Sequence, residues 1–411
     1  MKLLHSLLER IVRVGTLEVV DAGGKTHRFG GQPGPFVKVK LHDPALHTAL
    51  ALSPDVRLGE AYMNGTLTIE EGTLRDFLTL FAMNRGVSRK PAFVKRMRQI
   101  MKTLKAPFKR NTLVRSRENV EHHYDLSNEL YSLFLDSGMN YSCGYFRSPH
   151  DSIEEAQQNK LRHIASKLDI RAGQKVLDIG CGWGGMAIYL AQHFDVDVTG
   201  VTLSVEQHRL AVERARDAGL IDRVHFELRD YRSVEGPFDR IVSIGMFEHV
   251  GAAHFEEYFG KIQSLLAEDG VALVHSIGRR TQPGQTNPWI DKYIFPGGYS
   301  PALSETLANV ERSGLWVTDI EIWRMHYAET LLAWSQRFEV NRARAAELLG
   351  ERFCRMWEFY LINSEFSFRY YKHMVFQIQL TRAVNALPLQ RDYMFEAEAQ
   401  LLNKDGAVRC V

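Results

Sequence analysis

The stretch "KVLDIGCGWGGMAIYLA", residues 175–191, decides how the rest of the chain is read. Its first half is a short apolar run of the kind that forms a buried strand. Glycines at 180, 182, 184 and 185 follow, and they let the backbone turn sharply and approach a ligand closely. "MAIYLA" then continues with helical character. Strand, glycine turn and helix make a binding turn, but dinucleotide enzymes share it, so the pattern alone does not choose the ligand.

Working outward, strand-like runs recur at "DVDVTGV", "RVHFELRD", "FDRIVSIG" and "GVALVHSIG", each followed by a helical or loop stretch. That alternation predicts an α/β domain built on an open, mainly parallel, Rossmann-like sheet. Asp178 stands immediately before the turn, in a "D-x-G-x-G" form that resembles class I methyltransferases using S-adenosylmethionine (SAM). The next strand ends "GVTLSVEQ", without the acidic residue that would hold a dinucleotide ribose. Thr202, Ser204 and Gln207 offer neutral hydrogen-bonding groups there instead. Asp230 follows "RVHFEL", where the third strand's end would meet an adenine amino group.

The 411 residues allow two domains. Hydrophobic residues at 45% and charged residues at 24% are ordinary for a folded chain, and the apolar runs are too short to span a bilayer. "MKLLHSLLERIVRVG" reads as an amphipathic helix and not as a signal peptide. Cys143, Cys181, Cys354 and Cys410 show no C-x-x-C spacing, which argues against zinc and suits a reducing cytoplasm. "GTLEVVDAGGKTHRFGG" predicts a hairpin, "FVKVKLHD" a further strand, and "PALHTALAL" and "TLRDFLTLFAMN" helices. The expected organisation is a small α/β domain over 1–85, a basic linker over 86–117 and a catalytic domain over 118–395.

Beyond these local signals, the chain resembles the cyclopropane-fatty-acyl-phospholipid synthases and their relatives that modify mycolic acids. The matching stretches are "HHYDLSNELYSLFLDSGMNYSCGYF", "VLDIGCGWGG", "GVTLSVEQ", "FDRIVSIGMFEHVG", "NPWIDKYIFPGG" and "HYAETLLAW". "RLGEAYMNG" resembles the amino-terminal domain of the bacterial long form. The resemblance implies methyl transfer from SAM to a cis double bond of a phospholipid acyl chain, with ring closure after a proton is lost to a bound bicarbonate. It places the bicarbonate site on Cys143, Glu248, His275 and Tyr327, with Ile277 contributing backbone. It places the SAM site on Tyr124, Tyr141, Ser142, Asp178, Gly180, Cys181, Gly182, Thr202, Leu203, Ser204, Gln207 and Asp230. No metal is implied. Family analogy also suggests a homodimer.

The residue chemistry is compatible with that reaction. An alkene is a poor nucleophile, so the sulfonium must be held in line with it in a dry pocket. A carboxylate after the apolar strand "IVSIGMF" needs a reason to be there, which singles out Glu248. One position departs from the family. In the helix "MWEFYLINSEFSFRYY" the family usually carries a cysteine where this chain has Ser364. A proton beside a carbocation is acidic enough to need no thiol nucleophile, so activity is expected to survive. The change can also mark a relative that methylates the double bond without closing a ring.

Charge supplies the last feature. From Arg85 to Arg117 there are twelve Lys or Arg and no Asp or Glu, leaving 39 basic against 49 acidic residues elsewhere. Phe93, Met97, Ile100, Met101 and Leu104 fall on one side of a helix there, with Lys95, Arg98, Lys102 and Lys105 opposite. A solvated linker, an anionic membrane or nucleic acid would each account for such a segment. No "N/D-P-P-Y/F" motif for base amino methylation is present, which opposes nucleic acid. With a lipid substrate, the segment is read as a contact to anionic phospholipids at the inner face of the membrane. A lipid-binding protein without enzymatic activity is the alternative of another class.

Overall fold

A computed structural model of the protein describes residues 1–85 and 128–408. The basic segment over 86–117 and Tyr124 lie outside the described residues. The chain divides into two units, and the first is discontinuous: it combines the amino-terminal residues with Asn287–Ile294 and Phe338–Tyr370. The expected contiguous 118–395 domain is thus interrupted twice, and the second unit also continues past 395.

In the first unit the hairpin forms as β1 (Val14–Val20) and β2 (Thr26–Leu41). "FVKVKL" is the second half of β2 and not a separate strand. β2 folds around β1, so that Leu17 pairs with Phe29 on one edge and Val37 on the other. β3 (Leu67–Glu71) then pairs with β2. Helix Leu74–Met83 starts on a capping box in which Thr73 and Asp76 satisfy each other's backbone N–H groups. The two borrowed segments explain "RLGEAYMNG". Gly59, inside helix Pro54–Met63, faces the buried ring of Trp289, and a Cβ there would lie 2.5 Å from Trp289 Nε1. Trp289 also meets Phe359 edge-on at 4.8 Å. Tyr62 donates to Glu358 at 2.7 Å, and the Tyr293 hydroxyl donates to Glu60 at 2.8 Å.

The second unit carries β4 (Gln174–Ile179), β5 (Val196–Thr202), β6 (Val224–Leu228), β7 (Phe238–Ile244), β8 (Leu266–Arg279), β9 (Trp316–Trp323) and β10 (His373–Thr381). They form one sheet in the order β6-β5-β4-β7-β8-β10-β9. β4 to β8 are parallel, as the five sequence signals predict, and β10 runs antiparallel to both β8 and β9. Strand order reverses between β4 and β7, which opens a crevice at their carboxyl ends.

Alternation along the strands sorts their residues onto two faces. Leu177, Ile179, Ala272, Val274, Phe376, Ile378 and Leu380 join one apolar cluster with helix Phe255–Leu265. Val176, Val242 and Leu273 join the other with helices Ile153–Lys167 and Gly185–His193. By the same parity Asp178, His275, Gln377 and Gln379 belong to this second face. Helix Ile153–Lys167 buries 12 of its 15 residues, among them Lys160, Arg162, His163 and Lys167.

In an exposed helix interior, replacing glycine by alanine usually adds about 1 kcal/mol of stability. Gly59→Ala should do the reverse, lowering the unfolding free energy by ~1–3 kcal/mol through overpacking against Trp289. Chemical denaturation of the full chain measures it. A gain in stability would show that the helix and Trp289 part without cost.

Candidate active site

The carboxyl end of β4 delivers Asp178 into the crevice. Its side chain is 2% exposed and its Oδ2 has no hydrogen-bond partner. Burial pushes its pKa up to about 7, against the pull of Lys160. The turn that follows needs glycine for two different reasons. Gly180 has φ +80°, and a Cβ there would lie 2.8 Å from Met246. Gly182 has φ +55°, and a Cβ there would meet nothing, because it faces the open pocket.

The other predicted cofactor residues gather around this turn. Tyr141, Ser142, Cys181, Thr202, Leu203, Gln207 and Asp230 all line the same pocket. Thr202 donates to the Gln207 side chain at 3.0 Å. Ser204 is fully buried at the start of helix Val205–Asp217, where its hydroxyl caps the Gln207 N–H at 3.3 Å. Ser204 is therefore a positioning cap and not part of the described pocket wall. Asp230 is gripped by the Arg232 guanidinium at 2.7 and 2.9 Å, which outweighs burial and holds its pKa below the usual range. The Tyr141 ring packs on Trp334 at 5.2 Å and on Tyr131 at 5.2 Å.

A second cluster lies where β7 and β8 end. Glu248, on the short 3₁₀ turn Phe247–His249, accepts from the Ile277 N–H at 2.6 Å through Oε1. Its Oε2 is buried and makes no hydrogen bond of normal geometry, and burial raises its pKa to about 7 against the pull of the Ile277 N–H and the nearby Ser276 hydroxyl. His275 precedes Ile277 by two residues on β8 and is 2% exposed. Its Nδ1 is 3.1 Å from Gln377 Nε2, while Gln377 Oε1 accepts from Lys167 at 2.8 Å. Lys167, ion-paired with Glu321, can only donate. The Gln377 amide is thereby oriented, and it must donate to Nδ1. His275 therefore carries its proton on Nε2. Burial, with Lys160 and Lys167 nearby, lowers its pKa to about 3, so the ring is neutral.

Cys143 is fully buried, with Thr330 and Lys160 beside it, and burial raises its pKa so that it is a thiol. Tyr327 sits on helix His326–Val340 with its ring edge-on to Trp334 at 6.0 Å. That ring leads on to Tyr141. Glu248 and Ile277 are thus joined directly, and His275 lies two residues before Ile277 on β8. Ser364 is on helix Glu351–Arg369, which belongs to the first unit.

Sequence reading missed Lys160. It is 1% exposed, donates to Asn140 Oδ1 at 2.9 Å and Ser142 Oγ at 3.1 Å, and lines the pocket. Burial lowers its pKa to about 8. Its charge is felt by Cys143, Asp178 and His275 alike, so one ammonium influences both clusters. Asn140 is held in turn by Asp136, which accepts from its backbone at 2.8 Å and its side chain at 2.7 Å. Lys167 and Gln377 were missed too. For the two lysines the one signal is a helix with charged residues all round, which reads as solvated; Gln377 lies on β10.

Comparison with known proteins fits this geometry. Residues 111–378 match the family model described as mycolic acid cyclopropane synthetase, and residues 3–89 match a domain of unknown function. A probable fatty acid methyltransferase of Pseudomonas putida is 36% identical over 350 residues, covering 83% of this chain and 86% of that protein. The cyclopropane-fatty-acyl-phospholipid synthase of Escherichia coli (strain K12) is 41% identical over 272 residues, covering 66% and 70%. The crystal structure of the mycolic acid cyclopropane synthase CmaA1 complexed with SAH and CTAB aligns with a TM-score of 0.61 at 32% identity. It covers 64% of this chain and 97% of that one.

The buried carboxyl at Asp178 has a measurable consequence. A carboxyl with a raised folded pKa keeps a proton that the unfolded chain has already lost. Its stability contribution is full below the usual carboxylate range and is lost as pH rises toward about 7. Asp178→Asn should therefore stabilise the ligand-free protein by ~1–3 kcal/mol at pH 8, with the gain gone by pH 4. Denaturation curves across pH would show no such slope difference if Asp178 were well solvated.

Proposed function

The chain belongs to the mycolic acid cyclopropane synthetase family, and we propose that it methylates the cis double bond of an unsaturated phospholipid acyl chain, closing a cyclopropane ring with loss of a proton. The observation that carries this reading is Glu248. One of its oxygens is fixed on the Ile277 N–H and the other is buried without a hydrogen bond, while the neutral His275 lies two residues before Ile277 on the same strand. Such a pair accepts one hydrogen bond and gives another, which suits a small protonated oxyanion.

The glycine turn, Asp178 and the Thr202–Gln207 wall fit SAM, and Tyr141, Ser142 and Lys160 close the pocket beside them. When bound there, SAM supplies an electrophilic methyl group on a sulfonium. Glu248, His275 and the Ile277 backbone, with Cys143 and Tyr327, would hold bicarbonate, which supplies a proton-accepting oxygen. His275 and Cys143 are poor bases for that proton. His275 has its free nitrogen already engaged by Gln377 and presents only an Nε2–H. Cys143 is a thiol and no thiolate nucleophile. What these side chains do is orient and exclude water. Tyr141 and Trp334 contribute aromatic faces, which stabilise positive charge by ~0.5–2 kcal/mol each.

A second reading, a methyl branch without a ring, is favoured by Ser364 at the family's cysteine position and by the similarity to a fatty acid methyltransferase. That product needs a hydride from a reductant, which the ring does not. Among the described residues no helix is long and apolar enough to cross a membrane. We propose that the segment from Arg85 to Arg117 brings the enzyme to anionic lipid instead.

Lipid mass spectrometry after expression in a host lacking cyclopropane lipids should show acyl chains gaining CH₂. A gain of CH₂ plus two hydrogens establishes the branched product, and no gain overturns both. Glu248→Gln should lower turnover by ~10²–10³-fold while SAH affinity by calorimetry stays within severalfold. Equal turnover would place the oxyanion elsewhere.

Changing Lys95, Arg96, Lys102 and Lys105 together to Gln should cut co-sedimentation with phosphatidylglycerol vesicles and leave SAH affinity near wild type. Screening over ~8 Å at physiological ionic strength predicts that the wild type also leaves such vesicles at high salt. Unchanged sedimentation of the quadruple variant would remove the segment as the membrane contact.

A further inference from the structure

Lys160 is a buried ammonium with no carboxylate in direct contact; Asp136, one residue away through Asn140, is the first of the negative charges that act on it, ahead of Asp178. Among the described residues no carboxylate lies within 4.0 Å of its Nζ, and its two hydrogen bonds go to the neutral acceptors Asn140 and Ser142. An ammonium has three donors, so one N–H remains. Across the same pocket Asp178 is in the complementary condition, a buried carboxyl with one oxygen unpartnered. Both groups feel each other's charge without touching. Two opposite groups that line one cavity, neither ion-paired by contact, each keep part of their desolvation cost. A ligand end that carries a carboxylate and an ammonium on one carbon would satisfy both together.

We propose that Lys160 binds the α-carboxylate of the cosubstrate's amino-acid end, with Ser142 beside it, while Asp178 takes the α-ammonium. The assignment rests on reading this pocket as the SAM site. Three features support it beyond charge. Lys160 is anchored to the same loop, through Asn140 and Ser142, that places Tyr141 in the pocket wall. Gln157, one turn earlier on the helix, pins that loop through the Ser142 carbonyl at 2.9 Å. The lysine is therefore held in place before any ligand arrives. Its helix lies over the sheet face to which Asp178 belongs, so the two groups approach the pocket from different elements. Lys160 is thus a specificity-determining residue: it separates amino-acid-bearing adenosyl compounds from truncated ones.

Isothermal titration of the full chain with SAH and with its decarboxylated analogue tests this without turnover. In the wild type the analogue should bind ~10–100-fold more weakly, the range of one charge-assisted hydrogen bond. Lys160→Gln keeps a donor for the loop but removes the charge. It should weaken SAH to the level of the analogue and leave the analogue's own affinity within about twofold. Equal weakening of both ligands would make Lys160 a support for the loop and overturn the proposal. Should the variant fail to fold, a wild-type ratio near one between the two ligands overturns it equally well. If SAH itself does not bind the wild type, the SAM reading falls first and this assignment with it.

Discussion

An ammonium removed from water loses several kcal/mol of hydration unless its new surroundings return the hydrogen bonds. At Lys160 two of the three are returned, by Asn140 and Ser142, and this requirement organises the loop that carries them. Asn140 can accept from the lysine only while Asp136 holds its amide, and Asp136 also ties down the Gly138 N–H at 2.9 Å. The loop from 136 to 144 is therefore shaped by polar bonds radiating from one helix. The same loop brings Tyr141, Ser142 and Cys143 to the site. Truncating the lysine side chain would leave that loop without its central donor.

The helix that carries Lys160 extends the logic along its length. Arg162 is paired with Asp405, His163 lies between Glu321 and Glu398, and Lys167 reaches both Glu321 and Gln377. Each charge finds its partner on β9, β10 or the carboxy-terminal helix Asp392–Val408. These elements therefore do more than extend the sheet. They supply the acidic and amide groups that let a charged helix lie flat on a buried surface. The His275 tautomer is set at the far end of this chain of bonds, through Gln377.

How much of this was legible follows from the same alternation. The five parallel strands are short apolar runs punctuated by glycine and turn residues, so their existence and the sheet class can be read directly. Asp178 and the glycines could be read because the turn's backbone demands them. Glu248 stood out as a carboxylate after an apolar strand. β10, "HMVFQIQLT", alternates as a strand whose glutamine face reads as solvated, whereas Gln377 and Gln379 are buried. Lys160 and Lys167 were invisible for a stronger reason. A helix with polar residues on every side is ordinarily solvated, and nothing local reveals that a polar sheet face awaits it. The interruption of the second unit by 287–294 and 338–370 was equally hidden. Contiguity is the default that sequence reading assumes, and Trp289's fit over Gly59 involves residues far apart in the chain.

That interleaving bears on how the protein is made. The amino-terminal sheet emerges first during synthesis, yet the unit it belongs to includes Trp289 and helix Glu351–Arg369. At ~5–20 residues per second, the surface around Gly59 stays open for many seconds of translation before its covering arrives. The β4-to-β8 sheet is synthesised within that interval. The order of chain emergence thus runs opposite to the order of completion: the first unit to begin folding is the one that must wait.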